Sequence, residues 1–186
     1  KGVSSFQNKP FYNLLYRSFF KNIKVILLAE PLYDDIKKYV HRKNVFICAN
    51  GIPDKNKDVQ IGQEVLTPTI LFLSNMMEEK GVYELLEACK ILKEKGHVFK
   101  CIFVGAWKDI SEEDFRQKCI DDELNEFVCA LGPKYGEEKN DFLRNSDVFV
   151  FPTYYHNECF PLVLLEAMSY GKACISTNIA GIPSII

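Results

Sequence analysis

Seven short apolar runs, rich in β-branched and aromatic residues, punctuate the chain at 23–29, 45–48, 69–74, 99–104, 127–130, 148–151 and 173–176. Stretches with helical periodicity separate most of them. That alternation is the pattern of βαβ units around a parallel sheet, and it predicts an α/β fold with a doubly wound, Rossmann-like sheet. The clearest helix is expected over 82–95. There Val82, Leu85, Leu86, Cys89 and Leu92 share one face, charged residues occupy the other, and Gly96 supplies the stop. Further helices are expected over 111–124, opening on Ser111-x-x-Asp114, over 137–144, and from about Pro161. Ligands of such sheets bind beyond the carboxyl ends of the strands, so the loops there are the places to look for chemistry.

The polar, weakly periodic stretch 54–68, closed by Pro68, reads as a linker. It separates 1–53, with about two strands and two helices, from 69–186, which carries the remaining strands. The first piece is expected to be too small for an independent core. Starting at Lys1 and stopping at Ile186 inside an apolar stretch, the chain is expected to be cut from a longer one. A formal net charge of -2, mixed in sign, gives no basic field and argues against nucleic acid. The seven cysteines include no C-x-x-C pair and lie mostly in apolar runs, so they are expected to be reduced core residues of a cytoplasmic protein. No apolar run is long enough to span a bilayer. The aromatic segment 6–20, which also holds Lys9 and Arg17, is expected to pack on a core, with an interfacial amphipathic helix as the alternative.

The segment 152–171, PTYYHNECFPLVLLEAMSYG, follows the run 148–151. Pro161 suits the first helical position, where a missing N–H is no loss. The amides of Leu162 and Val163 then stand at the positive end of a helix, a ready phosphate site. Glu158, in the loop before the helix, can accept hydrogen bonds from paired sugar hydroxyls. Glu166 is the one ionisable residue between Phe160 and Met168, so it is expected to be buried and in need of partners. A ribose diol or a protein donor would serve.

The run ECFPLVLLEAMSYGKACISTNIAG resembles the E-x7-E segment of retaining glycosyltransferases with the two-domain GT-B fold. ILFLSNMMEEKGVYELLEACKILKEKG, CIFVGAW, LGPKYGEEKNDFLRNSDVFVFPT and ANGIPD resemble other elements of the same group, in the same order, over about 23–186. The resemblance implies that 69–186 is the donor-binding C-terminal half of a GT-B architecture and 1–53 a remnant of the acceptor-side domain. It implies a retaining, hexosyltransferase-type enzyme that takes a sugar from a nucleotide diphosphate to a glycan, lipid-linked or other hydroxyl acceptor. The chain alone is expected to bind without turnover.

In the residues, the resemblance implies that Glu158 holds donor-sugar hydroxyls, Glu166 holds the ribose, and Lys80 holds the pyrophosphate. Glu158 and Lys80 thus stand nearest the chemistry. Three positions depart from the pattern, the first being Ser74 where the family has a glycine. Asn75 stands where the family has an arginine, which removes a formal charge from the phosphate clamp. Pro161 stands where glycine is common, which removes one amide; the resemblance counts Asn75, Phe160, Pro161, Leu162 and Val163 with Lys80, Glu158 and Glu166 as donor-binding residues. No cluster shows metal-ligand spacing and no D-x-D pair is present, so metal independence and no cofactor are expected. Surface polysaccharide synthesis is the pathway that the resemblance suggests, with the full-length enzyme able to associate peripherally with the inner face of the membrane. A non-catalytic sugar-nucleotide-binding or interaction domain is the alternative.

Overall fold

The computed structural model describes residues 3, 6, 8–53 and 66–186. The chain forms two compact units, one comprising Lys1–Gly51, Tyr155–Leu162 and Asn178–Ile186, the other Ile52–Tyr154 and Val163–Thr177. Of the expected linker, residues 54–65 lie outside the described residues.

In the first unit, helix α1 (Pro10–Phe19) precedes strands β1 (Val25–Leu27) and β2 (Val45–Ile47), which pair in parallel. Ile36, Val40 and Val45 form a small core with Phe20, Val25, Leu27, Tyr33 and Tyr39 around it. The second helix expected in 1–53 is replaced by 3-10 turns at Glu30–Asp35 and Arg42–Asn44. Pro31 suits a first turn, but the short segment has no apolar stripe long enough to extend it. The expected packing of the aromatic N-terminal helix is also corrected. No residue of α1 is buried, and Phe11, Leu14 and Phe19 are 68%, 70% and 68% exposed. Tyr16 of the helix and Phe20 just after it meet the Tyr39 ring.

The second unit contains five parallel strands: β3 (Thr69–Leu73), β4 (Lys100–Val104), β5 (Val128–Ala130), β6 (Val148–Phe151) and β7 (Ala173–Ser176). Their spatial order is β5-β4-β3-β6-β7. Helices α2 (Val82–Glu94), α3 (Glu112–Asp121), α4 (Gly136–Asn145) and α5 (Leu162–Ser169) fill the crossovers. Right-handed crossovers put α2 and α3 on one face of this sheet and α4 and α5 on the other, which makes the doubly wound fold. Buried Phe72, Phe103, Phe149 and Phe151 fill its centre. Asp147 fixes the β3–β6 register from both sides, its carboxylate accepting from the Thr69 amide at 2.7 Å and its own amide donating to the Thr69 carbonyl at 2.9 Å. Ser111 caps α3 as its spacing requires, the hydroxyl oxygen accepting from the Asp114 amide at 3.0 Å. Strand order reverses between β3 and β6, so their C-terminal loops bound the ligand-binding crevice of this topology.

Candidate functional site

Backbone contacts with the loop after β4 position the loop after β3. Met76 forms a bridge with Trp107, and its amide donates to the Ala106 carbonyl at 2.8 Å. Gly105 lies so close to Ser74 that a Cβ there would sit 1.6 Å from the Ser74 carbonyl oxygen. That glycine is thus explained by contact between two backbones. Asn75 is exposed at the tip of the loop, and its carbonyl accepts from the Met77 amide at 2.9 Å. A 3-10 turn, Glu78–Lys80, follows and ends at Gly81, whose φ of 86° carries the chain into α2. Lys80 is half-buried, with Nζ 5.5 Å from the centroid of the Phe151 ring, at the end of β6.

The loop after β6 is held against the same turn. The Glu79 carbonyl accepts from the Thr153 hydroxyl at 3.2 Å and from the Tyr154 amide at 2.8 Å. Thr153 is fully buried, and its own carbonyl accepts from the Thr177 hydroxyl. Burial, with the carboxylates Glu84, Glu78, Glu79 and Asp109, pushes the Tyr154 phenol above its ordinary value. Glu78, Glu79, Glu84 and Asp109 thus give the surroundings of Tyr154, at this rim, a local acidity.

Glu158, Phe160, Pro161 and Leu162 belong to the first unit; Asn75, Lys80, Val163 and Glu166 belong to the second. Within the first, Glu158 is half-buried and its amide donates to the Tyr155 carbonyl at 2.9 Å. Phe160 and Pro161 are buried. The Gly181 amide donates to the Cys159 carbonyl at 2.9 Å, and a Cβ on Gly181 would lie 3.1 Å from the Phe160 ring. Helix α5 starts at Leu162, directly after Pro161, so the Leu162 and Val163 amides are among its first, which have no intrahelical acceptor.

Glu166 differs from its expectation. Its side chain is 30% exposed, and α5 buries only Leu164 and Ala167 completely. Lys139 of α4 reaches it, Nζ to Oε1 2.7 Å, and both stand in the wall of a cavity of about 260 Å³ that Ile52, Pro53 and Tyr170 also line. Lys139 was missed because the pair spans 27 positions and two helices, and no local spacing signals it. Gly81 and Thr153 were missed as supports of the loops, although a glycine directly after Lys80 was visible. Among the described residues, no group of three or more His, Cys, Asp or Glu side chains could hold a metal ion. Among them too, no helix is long and apolar enough to cross a membrane.

Comparison with known proteins fits this architecture. The family described as Glycosyl transferases group 1 matches residues 54–186. The chain is 32% identical over 149 residues to the amylovoran biosynthesis glycosyltransferase AmsK of Erwinia amylovora, covering 77% of this chain and 36% of that protein. It is 30% identical over 147 residues to the capsular polysaccharide biosynthesis glycosyltransferase CapM of Staphylococcus aureus, covering 73% and 37%. The chain thus spans about a third of the length of these curated relatives. The crystal structure of WaaG, a glycosyltransferase involved in lipopolysaccharide biosynthesis, shares the fold with a TM-score of 0.69 and 20% identity, over 95% of this chain and 52% of that one. Because the family match runs through the whole five-stranded sheet and its crossovers, the chain belongs to the glycosyl transferases group 1 family.

Proposed function

We propose that the protein transfers a sugar from a nucleoside diphosphate donor to an acceptor hydroxyl with retention of configuration, in the synthesis of a surface polysaccharide or related glycan. The relatives named above, both of polysaccharide biosynthesis, support the pathway. In this reading 69–186 binds the donor, 54–68 is a linker and 1–53 belongs to the acceptor side. The enzyme works in the cytoplasm, with α1 as a peripheral contact to the inner face of the membrane.

The observation that carries the donor-binding role is Glu166, a carboxylate that opens into a cavity of about 260 Å³ from the second turn of α5. Glu166 would accept from the ribose hydroxyls and Glu158 from the sugar hydroxyls. As the nucleoside diphosphate departs, negative charge grows on the β-phosphate. Lys80 and the Leu162 and Val163 amides are the groups suited to stabilise it, with Asn75 giving a neutral hydrogen bond. Phe160 and Pro161 would fix where those amides point. No nucleophile and no metal are called for.

A second reading, a sugar-nucleotide-binding or interaction domain without turnover, is favoured by Asn75 together with the acidic rim of Glu78, Glu79 and Asp109. Calorimetric titration with UDP, GDP and ADP without metal tests the donor reading. Saturable binding of one nucleotide, weakened by Glu166→Ala and by Lys80→Ala, is expected. A folded chain that binds none of the three would leave only an interaction role.

A further inference from the structure

Lys139 has no part in the roles above, yet it holds Glu166. It rises from the first turn of α4, and the two side chains are 25% and 30% exposed. Among the described residues, Lys139 is the one hydrogen-bond partner of the Glu166 carboxylate, and it takes Oε1. Oε2 therefore remains an acceptor, and an ammonium has three donors, of which this contact uses one. Acceptor and donors stand side by side in the wall of a cavity otherwise lined by Ile52, Pro53, Leu143 and Tyr170, with Asn140 and Ser169 near the pair. A lone carboxylate would select donors and a lone ammonium would select acceptors. The pair suits a neutral group that does both at adjacent atoms, and a vicinal diol is that group: one hydroxyl can donate to Oε2 while accepting from Nζ.

We propose that Lys139 is a positioning and specificity residue that, with Glu166, reads the vicinal diol of the donor's ribose and so selects ribonucleotides over deoxyribonucleotides. This rests on the reading of Glu166 as the ribose ligand. A ligand that covers Glu166 strips its water, which is unfavourable for an unpaired carboxylate; Lys139 supplies the countercharge in advance. It also fixes the carboxylate's orientation, which lowers the ordering required on binding.

The test is calorimetric titration of the whole chain with the best-binding of UDP, GDP and ADP and with the 2′-deoxy and 3′-deoxy forms of that nucleotide. Wild type should prefer the ribonucleotide by about tenfold or more, as expected for a charge-assisted hydrogen bond. Lys139→Met should bring that preference to within about twofold, and Lys139→Arg, which keeps charge and donors, should retain most of it. If Lys139→Met weakens all forms equally, or leaves the preference at its wild-type value while Glu166→Gln abolishes it, Lys139 is only a structural neighbour. The inference then fails and the ribose reading stands. If the folded wild type binds no nucleoside diphosphate, the ribose reading itself fails and this inference with it.

Discussion

A Cβ built on Gly81 would lie 2.3 Å from the carbonyl oxygen of Pro152, closer than any side chain could tolerate. Gly81 is thus constrained twice, by this contact and by its φ of 86°. It is the point where the loop after β3 meets the loop after β6, and it directly follows Lys80. The crevice at the reversal of strand order is held by backbone contact, and Lys80 inherits its position from that contact.

Gly81→Ala should therefore destabilise the protein by about 2–4 kcal/mol, combining left-handed strain with overpacking. Gly96 offers the control. Its φ is 77° but nothing lies within 4 Å, so Gly96→Ala should cost only about 1 kcal/mol. Denaturant unfolding of both variants measures the difference. Equal losses would mean that the Pro152 contact gives way freely and does not hold the crevice.

The sheet was legible in the sequence because its strands are bounded apolar runs; β6 and β7 begin and end where the pattern places them. The cap of α3 was legible for a local reason, since Ser111 and Asp114 are three residues apart. What depends on the neighbour was not. Glu166 was expected buried because its helix is apolar in sequence, yet α5 leaves Leu162 and Met168 exposed, and the carboxylate's partner comes from α4. Cys129 was expected in the core because it sits in an apolar run, but β5 is an edge strand and turns that position outward. Periodicity shows that a face is apolar; it does not show which element covers it.

Asp122 gives a pH-dependent prediction. Its carboxylate is 6% exposed and lies 2.7 Å from Lys118 Nζ and 3.0 Å from Lys90 Nζ. The ammonium groups of Lys118 and then Lys90, paired with it, hold its pKa below the ordinary 3.8, against the opposing effect of burial. A depressed folded pKa contributes stability that is complete above the unfolded value and is lost as pH falls through the folded one. Asp122→Asn should cost about 1–3 kcal/mol at neutral pH, with the gap to wild type narrowing as pH falls below the ordinary 3.8 and through the lower folded value. Unfolding curves at several pH values decide it. A gap that does not change with pH would show that the charge is not what stabilises this corner.

Thiol labelling should rank six of the seven cysteines by rate. All seven are free; Cys89, Cys101 and Cys119 are buried, whereas Cys48, Cys129 and Cys159 are exposed, contrary to a uniformly core placement. Burial pushes Cys119 up to about 11, and a hydrogen bond with Cys89, followed by burial, raises Cys101 well above the usual thiol value. Since the thiolate is the reactive form, a disulfide reagent near neutral pH should modify Cys48 and Cys159 quickly. Cys129 should follow more slowly, because burial of its sulfur raises its pKa. Cys89, Cys101 and Cys119 should react only on unfolding. Mass spectrometry of the partly labelled chain identifies the sites, and early labelling of Cys89 or Cys101 would contradict the packing of α2 on β4.

Helix α1 should bind anionic lipid. From 8 to 29 the chain has Lys9, Arg17, Lys21 and Lys24 and no acidic residue, in a protein whose formal net charge is -2. The same segment exposes Phe11, Leu14, Leu15 and Phe19, so apolar area on α1 is flanked by positive charge in the same stretch of chain. Those two terms drive interfacial binding, with roughly 1 kcal/mol for each cation near an anionic surface and the remainder from buried apolar area. Vesicles of phosphatidylcholine with about 30% phosphatidylglycerol should sediment with the protein, and pure phosphatidylcholine much less, because the negative surface potential supplies the first term. Raising the salt should weaken the binding as the charges are screened. The double substitution Phe11→Ser and Phe19→Ser should weaken it at every salt concentration, since it removes apolar area without touching the charge. Equal binding to both kinds of vesicle would show that the cations contribute nothing, and binding to neither would show that the exposed face of α1 does not meet lipid.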